Sequence, residues 1–328
     1  MKKYRALIAA GTLVVALSAC SAGGQQPGNT SADGLKGKTI SFIPGVSGDS
    51  FYISMECGVR SEAEKHGLKV DMQAPQQFDP SLQTPIVNAA VAKAPAAMLI
   101  APTDANALVS PLTQAKADGV TIGLVDTTLA NDSLAVTSVS TDNEAGGAAA
   151  ADALAKLIGD KGKVLVIAFK AGASTSDARQ KGFEEQIKKH PDVQYVGAQI
   201  NDNDPAKAAS IVSATLAAHP DLKGIFATNQ FAAEGAATGL RNAGAQGKVQ
   251  IVGFDAGPVQ VQQLRQGTVQ ALIAQKPAEI GVQAVKNVVA SLTGGTVEKN
   301  VGTDTVTVTM DNITTPEIEG MLYKTKCS

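Results

Sequence analysis

The chain has no tryptophan, and phenylalanine and tyrosine together make up only 4% of its 328 residues. Phe51 and Tyr52 nevertheless stand side by side in the stretch DSFYISMEC (49–57). A core spreads its large side chains along one face, whereas adjacent residues point different ways, so one of this pair is available for a task other than packing. Histidine is nearly as scarce. His66, His190 and His219 precede Gly67, Pro191 and Pro220, where helical patterns stop. A histidine there is accounted for by the helix C-terminus. None is left for a Ser-His or Cys-His triad or a histidine-rich zinc site. The 28 basic and 30 acidic residues are well mixed, which excludes a nucleic-acid stripe. Gly37-Lys38-Thr39 mimics the end of a phosphate loop, but Ala32 stands where that pattern needs glycine, and the tripeptide precedes a strand. Asn201-Asp202-Asn203-Asp204 lacks the later glycine and glutamate of a calcium loop and runs into Pro205, so Asp204 reads as a helix N-cap. No metal, cofactor or catalytic nucleophile is expected.

What is present begins with an address. Lys2, Lys3 and Arg5 lead into the apolar run Ala6 to Leu17, which falls short of the roughly 20 residues that span a bilayer and reads as a secretory signal (1–20). Leu17-Ser18-Ala19-Cys20 resembles the lipobox of bacterial lipoproteins, implying cleavage before Cys20, lipidation of its thiol and an extracytoplasmic protein held at the membrane. An ordinary signal peptide is the alternative. Residues 21–38, rich in Gly, Ser and Gln, read as a flexible tether. Cys57 and Cys327 remain. An even number in an oxidising compartment points to one disulfide, worth about 4–5 kcal/mol for so long a loop, with two separate thiols as the alternative.

From Thr39 on, apolar runs alternate with Ala-, Lys- and Glu-rich helical patterns. The runs are TISFIP, LKVDMQA, AAMLIAP, VTIGLVD, KVLVIAF, VQYVGAQI, GIFATN, VQIVGFD and TVQALIAQ. Continuous apolar runs of this length fit strands covered on both faces, and strand–helix–strand order implies parallel sheets of the doubly wound α/β class. The remaining length suits two lobes. In such sheets ligands bind beyond the carboxyl ends of the strands. Polar residues end four of the runs there: Asp126, Asn229, Asp255 and Gln275. Arg179 lies just past KVLVIAF near a helix start, and Phe51 and Tyr52 hold the equivalent place after the first strand. Carboxylates accept, a guanidinium donates in a planar fork, and carboxamides do both, a set that satisfies a compact polyhydroxylated molecule beneath an aromatic face. Taken singly, each strand-end Asp or Asn is equally well read as a helix cap.

The stretches DSFY, VGFDAGP, STSDARQKGF and IAQKPAEIG resemble the ribose-binding-protein group, the sugar-binding proteins of bacterial ABC importers, in register from about Thr39 to Thr296. The resemblance implies a class I periplasmic-binding-protein fold, two doubly wound lobes joined by a three-segment hinge near Thr141, Gln275 and Gly302. The lobes would be 39–141 plus 276–302, and 142–275 plus 303–328 with the tail returning toward Cys57. It places the stacking rings at Phe51 and Tyr52, the polar residue before them at Asp49, and the remaining ligand contacts at Asp126, Arg179, Asn229, Asp255 and Gln275. Two positions depart from the group. Thr127 stands where ribose binders have arginine, and Asn203 where they bring an aromatic from the second lobe. The ligand is therefore expected to stack from one side only and to be a pentose-sized sugar, pentitol or tetritol other than ribose. The implied partners are an ABC permease and the membrane through a lipid anchor, with no nucleic acid, and the protein a monomer. Feeding a membrane sensor or binding a signalling molecule is the alternative. A lac-repressor-type regulator would need a helix-turn-helix where the signal and tether lie.

Overall fold

The computed structural model describes residues 32–327, so the signal segment, Cys20 and the first part of the tether lie outside the described residues. Ala32–Leu35 form a short 3-10 turn, and Leu35 is buried, so the folded body begins inside the stretch read as a tether.

The first sheet contains β1 (Thr39–Ile43), β2 (Lys69–Met72), β3 (Ala97–Ile100), β4 (Thr121–Val125), β5 (Thr137–Thr141) and β11 (Asn300–Thr303), in the order β11-β5-β4-β3-β1-β2 with every pair parallel. The second contains β6 (Gly162–Ala168), β7 (Val193–Ile200), β8 (Leu222–Ala227), β9 (Gln250–Phe254), β10 (Ala271–Ala274) and β12 (Val306–Val308), in the order β12-β10-β9-β8-β6-β7. Here β12 is antiparallel to β10, which departs from an all-parallel sheet. The chain reaches it straight from the end of β11, so it enters the second sheet from the carboxyl edge and runs backwards.

The inner strands β1, β3, β4, β8, β9 and β10 are apolar at successive positions and buried on both faces, whereas the edge strands β2 and β7 are half-exposed. In the first lobe Phe42, Leu99 and Val125 pack beneath α1 (Ser50–Lys65) and α9 (Pro277–Thr293), while Ile43, Met98 and Leu124 face α2 (Pro80–Val91) and α3 (Val109–Ala117). In the second, Leu165, Ile225 and Ile251 pack on α6 (Pro205–Ala218) and α7 (Gln230–Asn242). Val166, Phe226 and Phe254 meet α4 (Asn143–Leu157) and α5 (Ser174–Ile187) on the other face. The chain passes between the sheets three times, at 142, 275–276 and 304–305.

The helix ends follow local chemistry. His66 is the C-cap of α1, with Gly67 at φ 65° behind it, and His219 is the C-cap of α6. Asp204 caps the start of α6, accepting from Ala206 N at 2.7 Å. Two glycines set how closely α1 and α9 approach. A Cβ on Gly58 would overlap the carbonyl oxygen of Ala278, and one on Gly281 the carbonyl oxygen of Met55. Gly58→Ala should therefore cost about 1–3 kcal/mol by overpacking, lowering the calorimetric melting temperature by roughly 3–10 °C. An unchanged melting temperature would show that the two helices are free to part.

Candidate functional site

Both sheets turn their carboxyl edges toward one cleft, and the same backbone device appears in each. Asp126 follows β4 with φ 62°, and Asp255 follows β9 with φ 82°. Each gives its N–H to the next strand, Asp126 to Val139 and Asp255 to Ile273, both at 2.9 Å. Aspartate is among the few L-residues that tolerate the left-handed region, and such conformations gather where a side chain must be aimed. Here the turn sends one carboxylate from each lobe into the cleft.

The first lobe adds the start of α1. Asp49 is its N-cap, accepting from Phe51 N at 2.8 Å, which leaves the rest of the carboxylate facing inward. Capping and lining are thus one residue's two tasks. Phe51 and Tyr52 follow, their rings edge to face at 5.1 Å. The Tyr52 hydroxyl donates to Asp126 Oδ2 at 2.7 Å.

The second lobe adds the buried Arg179 from the first turns of α5. Its Nε donates to Asn143 Oδ1 and its Nη1 to the Thr228 carbonyl oxygen, both at 2.8 Å. The guanidinium carbon lies 3.8 Å from the centre of the Phe254 ring. Among the described residues no protein hydrogen bond takes up Nη2. Asn229 caps α7 and also donates to Asn203 Oδ1 at 2.6 Å. Gln275, in the second crossing, donates to Asp255 Oδ1 and accepts from the Thr141 hydroxyl, so two of the three crossings meet at its side chain.

These residues meet at one cleft lined by Asp49, Phe51, Tyr52, Asp126, Arg179, Asn203, Asn229, Asp255 and Gln275. Thr127, the other position singled out in the sequence, does not line it. That side chain is buried and its hydroxyl is committed to the Pro102 carbonyl oxygen at 2.7 Å. Val46, Phe78, Phe169 and Thr175 line the cleft and were not singled out. Two phenylalanines thus join Phe51 and Tyr52 in the cleft, where the sequence pointed to aromatic rings on one side only. Phe78 comes from the loop after β2 and Phe169 from the end of β6, and their rings meet edge to face at 5.6 Å. The carbonyl oxygen of Phe169 takes the Asn203 N–H at 2.8 Å, so the second lobe's aromatic stands beside Asn203, one strand over.

Three buried carboxylates face one guanidinium. Burial foremost, then Asp255, pushes the Asp49 carboxyl up to about 8, against the pull of the Phe51 N–H. Burial also raises Asp126, but Arg179 and the Tyr52 hydroxyl hold it to about 6. Burial and the neighbouring Asp126 lift the Tyr52 phenol well above its usual range, so it acts as a neutral donor. The cleft is closed across its rim. Ser50 Oγ donates to Gln230 Oε1 at 3.0 Å, Thr128 N to Ser174 Oγ at 2.8 Å, and Ala105 N to Gly172 O at 3.2 Å, each joining one lobe to the other.

Residues 40–296 match the periplasmic binding protein domain. The chain is 29% identical over 298 residues to the ribose import binding protein of Escherichia coli strain K12, covering 91% of this chain and 95% of that one. Among solved structures it resembles an ABC transporter solute-binding protein from Agrobacterium vitis bound with α-D-tagatopyranose. There the TM-score is 0.86 and the identity 39%, over 88% of this chain and 99% of the other. A carbohydrate-transporter solute-binding protein from Agrobacterium radiobacter in complex with D-arabinose is similar at TM-score 0.83 and 30% identity, over 87% and 99%.

Proposed function

This chain belongs to the periplasmic binding protein domain family, and we propose that it captures a small neutral sugar or polyol between its lobes and delivers it to an ABC permease. The observation that carries this reading is the convergence of Asp49, Asp126, Asp255, Arg179, Asn203, Asn229 and Gln275 with four aromatic rings on one cleft formed by both lobes. Such a lining offers many acceptors and few cations, which suits a neutral ligand rich in hydroxyl donors. Rings on both sides can cover the C–H faces of a sugar. Similarity to proteins bound with tagatose and arabinose supports the class. Within it we favour a pentose other than ribose, a pentitol or a tetritol, because Thr127 supplies no second cation.

The cycle is physical. One lobe takes the ligand, the three crossings flex, and the second lobe completes the hydrogen bonds as the rim contacts form. An analogue lacking one hydroxyl leaves a buried charge unpaired, at a cost of about 1–3 kcal/mol. We further propose that Cys20 carries a lipid holding a monomeric protein outside the membrane, and that Cys57 and Cys327, with Cα atoms 5.2 Å apart, form a disulfide. Thermal-shift screening followed by calorimetry with erythritol, xylitol, D-arabinose, D-tagatose and D-ribose tests the ligand class. Stabilisation by one of the first three is expected, and a response to D-tagatose alone would overturn the size class. No response to any of the five would overturn the sugar reading, and a response to ribose alone would overturn the choice within it.

A further inference from the structure

We propose that the C-terminal tail is a fourth connection between the lobes, and that Tyr323, carried on it, is a positioning residue for the cleft although it does not line it. After β12 the tail stays on the second lobe, where Ile313 and Ile318 are buried and α10 (Pro316–Met321) ends just before Tyr323. Tyr323 N donates to the carbonyl oxygen of Ala256, the residue after Asp255, at 3.2 Å. Its buried phenol donates to Asp255 Oδ1 at 3.1 Å and accepts from the Gln275 backbone N–H at 3.2 Å. The ring also lies 5.8 Å from that of Phe51, on the other lobe. One side chain thus touches a strand-end carboxylate, the second crossing and the aromatic pair.

The tail changes lobes immediately afterwards. Lys324 N donates to Ser54 Oγ on α1 at 2.7 Å, and Cys327 meets Cys57 on the same helix. Four peptide steps from Tyr323 to Cys327 reach at most about 14 Å. With the disulfide proposed above, and Tyr323 seated on Ala256, α1 can move only a short way from β9. The lobes would then open by pivoting about the tail, with Tyr323 staying on Asp255 and Gln275 through the motion. The role of the phenol follows from the hydrogen bonds. Asp255 Oδ1 is held by Gln275 Nε2 and Tyr323, and Oδ2 by Gln230 N at 3.0 Å, so the tail supplies one of the three donors that fix the carboxylate. A carboxylate fixed before the ligand arrives binds better than one that must be ordered on arrival.

The test uses Tyr323→Phe, which keeps the ring and removes only the hydroxyl, and a Cys57→Ser/Cys327→Ser pair. Calorimetry with erythritol, xylitol, D-arabinose and D-tagatose should show at least a tenfold loss in Tyr323→Phe with little change in melting temperature. Amide exchange at Gln275 should quicken in the absence of sugar. The cysteine pair, and the wild type reduced with a phosphine, should show a larger radius of gyration without sugar. Wild-type Gln275 exchange in Tyr323→Phe, or an unchanged radius on reduction, would overturn the proposal. The affinity arm rests on the sugar reading. If no sugar binds even the wild type, that reading fails, while the exchange and scattering arms still decide the role of the tail.

Discussion

Arg179→Ala is expected to weaken sugar binding at least a hundredfold in calorimetry and to lower stability as well. The first effect follows from the guanidinium's place in the cleft lining, where among the described residues Nη2 makes no protein hydrogen bond. A hydrogen bond from a charged group is worth about 1.5–3 kcal/mol. Removing the cation also leaves three carboxylates with no positive neighbour in the cleft, which raises the cost of ordering acceptors around a ligand. The second effect follows from Asn143 Oδ1, the Thr228 carbonyl oxygen and the Phe254 ring, all of which lose their partner. Together these should remove about 2–4 kcal/mol, or roughly 5–15 °C in melting temperature. Sequence alone suggests a residue that serves only the ligand, whereas its partners make it a fastener of the second lobe too. Arg179→Lys should keep much of the stability and still lose affinity, because an ammonium cannot donate to two fixed partners and present a third nitrogen. Wild-type affinity in either variant would remove Arg179 from the site.

The parts legible in the sequence are those where one physical rule dominates. Every apolar run became a strand; burial on both faces leaves a continuous signal in the inner ones, while the edge strands β2 and β7 keep a weaker, mixed pattern. The strand β5 did not announce itself, because Thr137-Ser138-Val139-Ser140-Thr141 holds a single large apolar residue. It is buried nonetheless, with the Thr137 hydroxyl satisfied by the Glu298 carbonyl oxygen, a partner 161 positions away that no local pattern reveals. The rule that ligands sit at strand carboxyl ends led to Asp126, Asn229, Asp255 and Gln275. Thr127 is reached only through the family resemblance, and its adjacency to Asp126 says nothing of side-chain direction. Phe169 closes the run KVLVIAF and was absorbed into that run as packing, although the same rule applied to it. Tyr323 lay beyond reach, since its place depends on how the tail folds back over 68 positions to Asp255.

Sugar binding should release protons, so affinity should rise with pH between about 5 and 8. Asp49 faces Asp255, Asp126 and Glu234, and Asp126 faces Arg179, Tyr52 and Asp255. Buried between the lobes, Asp49 titrates near 8 and Asp126 near 6, whereas an unfolded aspartate titrates near 3.9. The folded state therefore binds more protons than the unfolded chain between roughly pH 4 and 8. Its stability is greatest at the acidic end of that window and falls as pH rises through 6 and then 8, by about 1.4 kcal/mol for each unit of displacement. A hydroxyl donating to either carboxylate favours the charged form and drives its proton off. At pH 7 Asp49 is largely protonated and Asp126 largely not, so the protons released there should come mainly from Asp49. Calorimetry in phosphate and in Tris, whose ionisation heats differ, measures that number directly. Asp49→Asn keeps an N-cap for α1 and should abolish most of the release at pH 7, which separates Asp49 from Glu234, itself raised to about 7 by burial. Proton uptake, or an affinity flat across this range, would mean that neither carboxylate receives a hydrogen bond from the ligand.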